Sequence, residues 1–348
     1  MPNTIGLESS LLVRALRGEA TERAPLWLMR QAGRYLPEYR EVRAKHSMLD
    51  VIRTPELAAK VTLQPIDRFG FDGAIIFADI LNPLIGMGIQ LDFVEGEGPV
   101  IFNPVQTPSD VDQLKVPSPK ENVPYTLEAL RLVVKELSPR GVPTLGFSGA
   151  PFTLATYLLS KKGDKELAKR FMRDNQSAWA ALQKKLTTLV SDYLVAQAEA
   201  GASAVQIFDS WVGVLSPSEF ATFVLPWLQQ VVASVKSRTK VPVIYFATSA
   251  GGLLAQFPSI GADVYGIDWR LTFAAARQTF GNKPLQGNLD PTILLGDKSY
   301  LEKETRRILA EGKEGGPFIF NLGHGILPPT PIANVETLVS LVKTFCLG

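Results

Sequence analysis

Arg30 and Arg34 stand four residues apart in WLMRQAGRYLPEY, residues 27–39. Gly33 permits a tight backbone bend before Arg34, and guanidiniums carried on such a loop each match a carboxylate bidentately. The segment around them, 11–45, holds eight Lys/Arg and four Asp/Glu, a local +4 in a chain whose net charge is only +2. Arg14, Arg17 and Arg40 read as solvating helix surfaces; Arg30 and Arg34 read as an anion site. A second group lies in GFSGAPFTLATY, 146–157. There Gly146 and Gly149 let the chain turn sharply out of a strand and Pro151 opens a helix. Exposed N–H groups at that helix start suit an anion. Tyr157, two turns in, reads on spacing alone as core packing. A third segment, IFNLGHG at 319–325, holds His324 between two glycines, where an imidazole faces a ligand more readily than a packed core.

The scarce residues restrict the chemistry further. His46 and His324 are the only histidines and Cys346 the only cysteine. A disulfide framework within the chain is excluded, and a zinc site of the usual Cys/His kind nearly so. Thirty-six basic residues against thirty-four acidic ones exclude a surface coated for nucleic acid. The most apolar stretches, 73–88 and 202–215, are interrupted by Asp79 and Asp209 before reaching the ~20 residues of a membrane span. The N-terminal MPNTIGLESS lacks the basic start and apolar run of a secretory signal. A cytoplasmic protein with neither nucleic-acid nor membrane partners is expected.

These candidates need elements to position them. Eight short apolar runs, 26–29, 74–77, 144–147, 204–208, 243–246, 264–267, 284–287 and 318–321, have the β-branched and aromatic character of buried parallel strands. The seventh is the weakest, because Pro284 and Gly287 are poor strand residues. Helical patterns lie between them at 55–69, 124–137, 174–200, 217–236, 271–280, 299–312 and 334–345. In the third, Leu182, Leu186, Leu189, Tyr193 and Ala196 form one apolar stripe. Thr54-Pro55 and Ser216-Pro217 each put a capping side chain before an N1 proline. Residues 88–105 break the alternation with Ile89, Leu91 and Phe93 at period two, a Glu95-Gly96-Glu97-Gly98 turn, then Val100 and Phe102. The expected fold is a single (β/α)8 TIM barrel over 1–348, with a β-hairpin inserted after strand 2 and a flexible tail over 1–8. A doubly wound sheet is the alternative. In such a barrel chemistry collects at the carboxyl ends of the strands. There the sequence places Arg30, Gln31 and Arg34, then Asp79, Ser148, Asp209 and Ser210, Thr248 and Ser249, Asp268, Asn288 and Asp290, and His324. That ring locates a site without identifying a reaction.

Residues 25–39, PLWLMRQAGRYLPEY, resemble the first signature of the uroporphyrinogen decarboxylases, and 146–157 resembles their second. FADIL at 77–81, QIFDSW at 206–211, GIDW at 266–269, QGNLDP at 286–291 and NLGHG at 321–325 match in the same order, so that the resemblance spans 9–345. It implies a (β/α)8 barrel acting as a cofactor-free, metal-free homodimer that converts the four acetates of uroporphyrinogen III to methyls, giving coproporphyrinogen III and four CO2. By motif, Asp79 matches the aspartate that accepts hydrogen bonds from the pyrrole N–H groups, and with Arg30 it is the expected catalytic pair. Arg30 and Arg34 match carboxylate-holding arginines, with the backbone of Gln31, Ala32 and Gly33 beside them. Tyr157, Ser210 and His324 match further substrate contacts, and Phe77 and Phe208 apolar walls. Position 148 is Ser where some relatives have Ala. Carbanion chemistry normally needs an electron sink; a pyrrole protonated at the carbon bearing the acetate becomes one itself. The proton donor stays open between Arg30, a water it holds, and a substrate carboxyl group.

Three other readings compete. Zinc-dependent methyltransferases of the same superfamily share the barrel but need a His/Cys zinc set, for which this chain offers only His46, His324 and Cys346. An inert tetrapyrrole carrier would keep the pocket without turnover, against which Asp79 and Arg30 argue. A generic phosphate-binding barrel lacks a convincing Gly-rich loop after strand 7 or 8.

Overall fold

The computed structural model describes residues 6–94 and 96–346. Of the tail expected over 1–8, residues 1–5 lie outside the described residues; Leu7 is buried, and its carbonyl accepts a hydrogen bond from Ser10 N at 3.0 Å. Among the described residues, nine strands run β1 (Ala74–Ile75), β2 (Leu91–Val94), β3 (Gly98–Ile101), β4 (Thr144–Gly149), β5 (Ala204–Asp209), β6 (Val243–Ala247), β7 (Val264–Gly266), β8 (Leu285–Leu289) and β9 (Phe318–Leu322). Seven form one parallel sheet in the order β1-β4-β5-β6-β7-β8-β9. A doubly wound sheet reverses its strand order at a switch point; this one never does, which overturns that alternative. β2 and β3 pair antiparallel with each other, Leu91 opposite Ile101 and Val94 opposite Gly98. Glu95, in the expected turn, lies outside the described residues.

The first apolar run behaves differently from the other seven. Residues 26–29 make a single parallel bridge, Leu26 to Phe320 of β9. Pro25 has no N–H to give a ladder, and side chains take the N–H groups that follow. Asp72 Oδ2 accepts from Leu26 N at 2.8 Å, Gln31 Oε1 from Leu28 N at 3.1 Å, and Asn321 Oδ1 from Met29 N at 3.0 Å. The segment also touches the approach to β1, since Leu26 O accepts from Asp72 N at 2.8 Å. Arg23 holds Asp72 in place through an ion pair at 2.6 Å.

The sheet is buried on both faces, as helices on the outside require, and among its buried side chains are the polar Gln206, Gln286 and Asn321. β4, β6, β8 and β9 are buried at every position. β8 forms despite its composition because Pro284 falls just before it and Gly287 takes a φ of +144°, where a Cβ would lie 2.5 Å from Ile267 O. Helices occupy the predicted stretches, with one break. The 217–236 pattern is two helices, Pro217–Phe223 and Leu225–Arg238. Pro226 cannot continue a helix from Val224, so the chain restarts there. Ser216 caps the first of these by accepting from Glu219 N in a reciprocal capping box. Thr54, expected to cap Pro55–Phe69, makes no side-chain cap bond because it is also ending the preceding helix, Met48–Arg53.

Candidate active site

Arg30 carries the sharpest departure from ordinary backbone geometry: its φ is +60°. Gly33 was expected to make the bend, but its φ is not in the left-handed region. Its lack of a side chain matters for a different reason, since a Cβ there would come within 3.0 Å of Arg30 O. The turn at Arg30 sends its stem across Gly325, where a Cβ would lie 2.5 Å from Arg30 Cδ and 2.8 Å from Cγ. The first and last apolar runs thus bring Arg30 beside His324.

Asp79, four residues past β1, is half-buried. One carboxylate oxygen, Oδ1, accepts from Leu81 N at 2.9 Å. Among the described residues Oδ2 has no protein donor. Burial raises the Asp79 pKa, while the Leu81 N–H and the positive charge of Arg30 oppose the rise. Tyr157 stands at the end of the helix Pro151–Leu158, close enough that Asp79 adds to the upward effect of burial on its hydroxyl, and Arg30 opposes it. Burial, then Arg30, push the His324 pKa below 6.5, so its imidazole is neutral at pH 7. Arg30, Asp79, Tyr157 and His324 therefore share one electrostatic neighbourhood.

A buried network supports this group. Asp209, at the end of β5, is 0 % exposed and accepts from Thr153 Oγ1 at 2.7 Å and Tyr245 OH at 2.9 Å. With two neutral donors and, among the described residues, no cation paired with it, burial lifts its pKa to about 6. Thr153 lies one turn before Tyr157 on the same helix and accepts from Trp211 N at 3.3 Å; the Trp211 and Tyr157 rings are 6.2 Å apart. Nothing in the sequence joined Thr153 and Tyr245 to the Asp209 strand end, because that union depends on the register Phe208–Phe246 between β5 and β6.

The other expected residues divide. Phe208 is half-buried and makes edge contacts with Phe147 at 5.6 Å and Phe246 at 5.9 Å, an aromatic row near the strand ends. Phe77 is tied elsewhere, its ring 5.6 Å from Tyr39 and its N–H on Thr62 Oγ1. Ser210 is half-buried, its carbonyl taken by Thr248 Oγ1 at 2.8 Å. Arg34 is exposed, and Ala32 and Gly33 are half-exposed beside it. Gln31 belongs to the scaffold. It is 0 % exposed; its amide spans Leu28 N and Gly73 O, and its carbonyl accepts from Tyr35 OH at 2.7 Å. The readings of 146–153 also need correction. Gly146 and Gly149 lie inside β4 and make no turn; Cβ atoms there would strike Gln197 Oε1 at 2.6 Å and Leu154 at 2.7 Å. The helix start that follows is buried rather than exposed.

A cavity of about 770 Å³ opens at the opposite end of the sheet, lined by Arg17, Lys236, Lys240 and Lys283 among others. It contains none of the residues above, and the charged strand ends remain the site with chemistry. Among the described residues no three His, Cys, Asp or Glu side chains gather as a metal site, and no helix is long and apolar enough to cross a membrane.

The family model for uroporphyrinogen decarboxylase (URO-D) matches residues 7–345. A uroporphyrinogen decarboxylase of Chloroflexus aurantiacus is 50% identical over 343 residues, 96% of each chain. That of Geobacter metallireducens is 48% identical over 328 residues, 93% of this chain and 95% of the relative. Among solved structures, a methyltransferase from Methanosarcina mazei superposes with a TM-score of 0.79 at 21% identity, covering 95% of this chain and 97% of that one. That likeness shows a shared fold alone. With the two signatures in their expected places at the strand ends and a match over nearly the whole length, the chain belongs to the uroporphyrinogen decarboxylase family.

Proposed function

We propose that this protein is a uroporphyrinogen decarboxylase, removing CO2 from the four acetates of uroporphyrinogen III to leave coproporphyrinogen III. The observation that carries the reading is the pairing of a half-buried Asp79, one oxygen uncommitted, with Arg30 and Tyr157 at the carboxyl side of the sheet. In each step a proton adds to the ring carbon bearing the acetate, making an iminium-like cation. The bond to the carboxylate then breaks, its electron pair neutralises the cation, and CO2 departs. A proton taken up by the exocyclic carbon and one lost from the ring carbon restore the pyrrole and complete the methyl group. The net change exchanges CO2 for one proton.

Asp79 Oδ2 would accept the pyrrole N–H groups and stabilise the cation as it forms, the inverse of an oxyanion hole. Its partial burial strengthens that effect by lowering the local dielectric. Arg30 and Arg34 hold substrate carboxylates, Tyr157 and Ser210 contribute hydroxyls, neutral His324 a ring N–H, and Phe208 an apolar wall. Gln31, engaged within the fold, orients the loop instead of touching substrate. The segment 25–29, held between β9 and the approach to β1, serves as the eighth stave of a (β/α)8 barrel interrupted by the β2–β3 hairpin. A single domain acting as a homodimer in the cytoplasm, with no cofactor, completes the proposal. Anaerobic incubation with uroporphyrinogen III in metal-free buffer tests it. Stepwise appearance of products with seven, six, five and four carboxylates is expected; an unchanged octacarboxylate overturns the reading.

A further inference from the structure

We infer that Arg270 is a further anchor for a substrate carboxylate, placed on the opposite side of His324 from Arg30. The inference rests on the proposed reaction for the identity of the substrate and on three observations for the geometry. First, the loop Gly323-His324-Gly325 receives a guanidinium-bearing turn on each side. The Arg30 stem crosses Gly325, and the 268–270 turn lies against Gly323, where a Cβ would be 2.7 Å from Trp269 N. Side chains at 323 and 325 would push both away.

Second, Arg270 is held ready. Its Nη1 donates to Asp268 Oδ2 at 2.8 Å, and its guanidinium carbon sits 4.2 Å from the Trp269 ring centroid. Stacking and a carboxylate on one edge fix the plane of the guanidinium while leaving its remaining N–H groups available. Asp268 does not depend on this bond alone, since it also accepts from Ser249 N at 2.6 Å and Arg270 N at 3.0 Å.

Third, the exposure is one-sided: the Arg270 side chain is 50% exposed and that of Asp268 3%. A ligand arriving at the strand ends therefore meets the cation and not its partner. Arg30 and Arg34 follow the segment 25–29, whereas Arg270 follows β7, with β9 and β8 lying between them. An octa-anionic macrocycle presents carboxylates around its whole edge, and cations on one loop alone cannot meet them. Arg270 supplies charge on a second side.

Arg270→Gln and Arg270→Lys test this. With uroporphyrinogen III, the Gln variant is expected to raise KM about fivefold to tenfold while lowering kcat less, the size of a partly exposed charged hydrogen bond. The Lys variant should recover about half of that loss on a logarithmic scale, a result that packing alone would not produce. Direct binding of uroporphyrin, the oxidised and unreactive octacarboxylate, followed by tryptophan quenching, should weaken by a similar factor in Arg270→Gln. A KM and a uroporphyrin affinity both unchanged in Arg270→Gln, in an enzyme that does turn over, overturn the inference and leave the function intact. A wild-type protein that binds uroporphyrin through Arg270 without decarboxylating uroporphyrinogen overturns the function and leaves the anchor. A kcat that falls with KM unchanged also overturns the anchor.

Discussion

Asp209→Asn should gain stability relative to wild type as pH rises, in a way the buried network specifies. Asp209 is fully buried between Thr153 and Tyr245, and burial raises its pKa from 3.8 to about 6. Between those values the folded state holds a proton that the unfolded chain has released. Wild-type stability therefore falls as pH rises through that window, and above about pH 6 it is lower by roughly 3 kcal/mol, at 1.36 kcal/mol per pH unit. An asparagine keeps the shape and removes the charge. Its carbonyl oxygen can accept from Thr153 and its amide can donate to the Tyr245 oxygen; the Tyr245 O–H then loses its acceptor, a cost that does not vary with pH over this range. Urea unfolding of both proteins by tryptophan fluorescence, at pH 4, 5, 6 and 7.5, reads the effect. The variant's advantage over wild type should grow by roughly 3 kcal/mol between pH 4 and pH 7.5, most of it by pH 6. A difference that stays constant with pH would refute the reasoning, since it would mean that Asp209 ionises as an ordinary carboxylate. Asp209→Ala separates charge from hydrogen bonding. At pH 4, where the charge matters little, it takes the acceptor from two hydroxyl hydrogens and should cost about 1–3 kcal/mol for each.

Asp79→Asn should bind uroporphyrin nearly as tightly as wild type while kcat drops about 10²- to 10³-fold, the scale of one lost electrostatic stabiliser; near-normal turnover would remove Asp79 from the chemistry. Arg34→Ala, at an exposed loop position, should raise KM about tenfold with kcat little changed, and a loss confined to kcat would contradict an anchoring role. Gly325→Ala changes no charge but puts a methyl 2.5 Å from Arg30 Cδ; kcat/KM should fall about 10²-fold with the melting temperature nearly unchanged, and full activity would show that Arg30 need not lie there. Because burial and Arg30 push the His324 pKa below 6.5, an acidic limb in kcat/KM due to this residue should begin below pH 6.5. A limb above that value which vanishes in His324→Gln would contradict a neutral imidazole.

Local signals in the sequence were enough for elements whose cause is local. Seven of eight apolar runs are strands, and the helices Pro55–Phe69 and Pro217–Phe223 begin at the prolines that announced them. The failures have long-range causes. Residues 26–29 look like a strand, yet Asp72, Gln31 and Asn321 capture their N–H groups, and partners up to 292 residues away leave no mark on a local pattern. The glycines at 146 and 149 looked like turn formers because glycine usually is one. Their actual task is to admit Gln197 and Leu154 against β4, which only the packed structure reveals. Within the site, Arg30, Asp79, Tyr157 and His324 were all named from motifs, and each is found with the others. Arg270 was not, although it follows the GIDW motif directly. Its signal, an arginine two residues after a strand-end aspartate and next to a tryptophan, acquires meaning only once Gly323 is known to face that turn.

Among the described residues, two non-glycine residues with left-handed backbones identify what the fold spends local stability on. Arg30 has a φ of +60° and Ser249 one of +55°, conformations that disfavour an ordinary residue by about 1 kcal/mol or more. Each serves a charge at the strand ends. The turn at Arg30 directs its own guanidinium stem over Gly325. The turn at Ser249 points its N–H at Asp268, the carboxylate that orients Arg270. Glycine at either position would relieve the strain. At 30 it would delete the cation, and at 249 it would loosen the donor by widening the conformations open to the loop. A carboxylate-rich ligand rewards cations that are already aimed, because ordering a long side chain at binding costs about 0.5–1.5 kcal/mol. Strain stored in the backbone before binding is thus exchanged for order that need not be imposed during it.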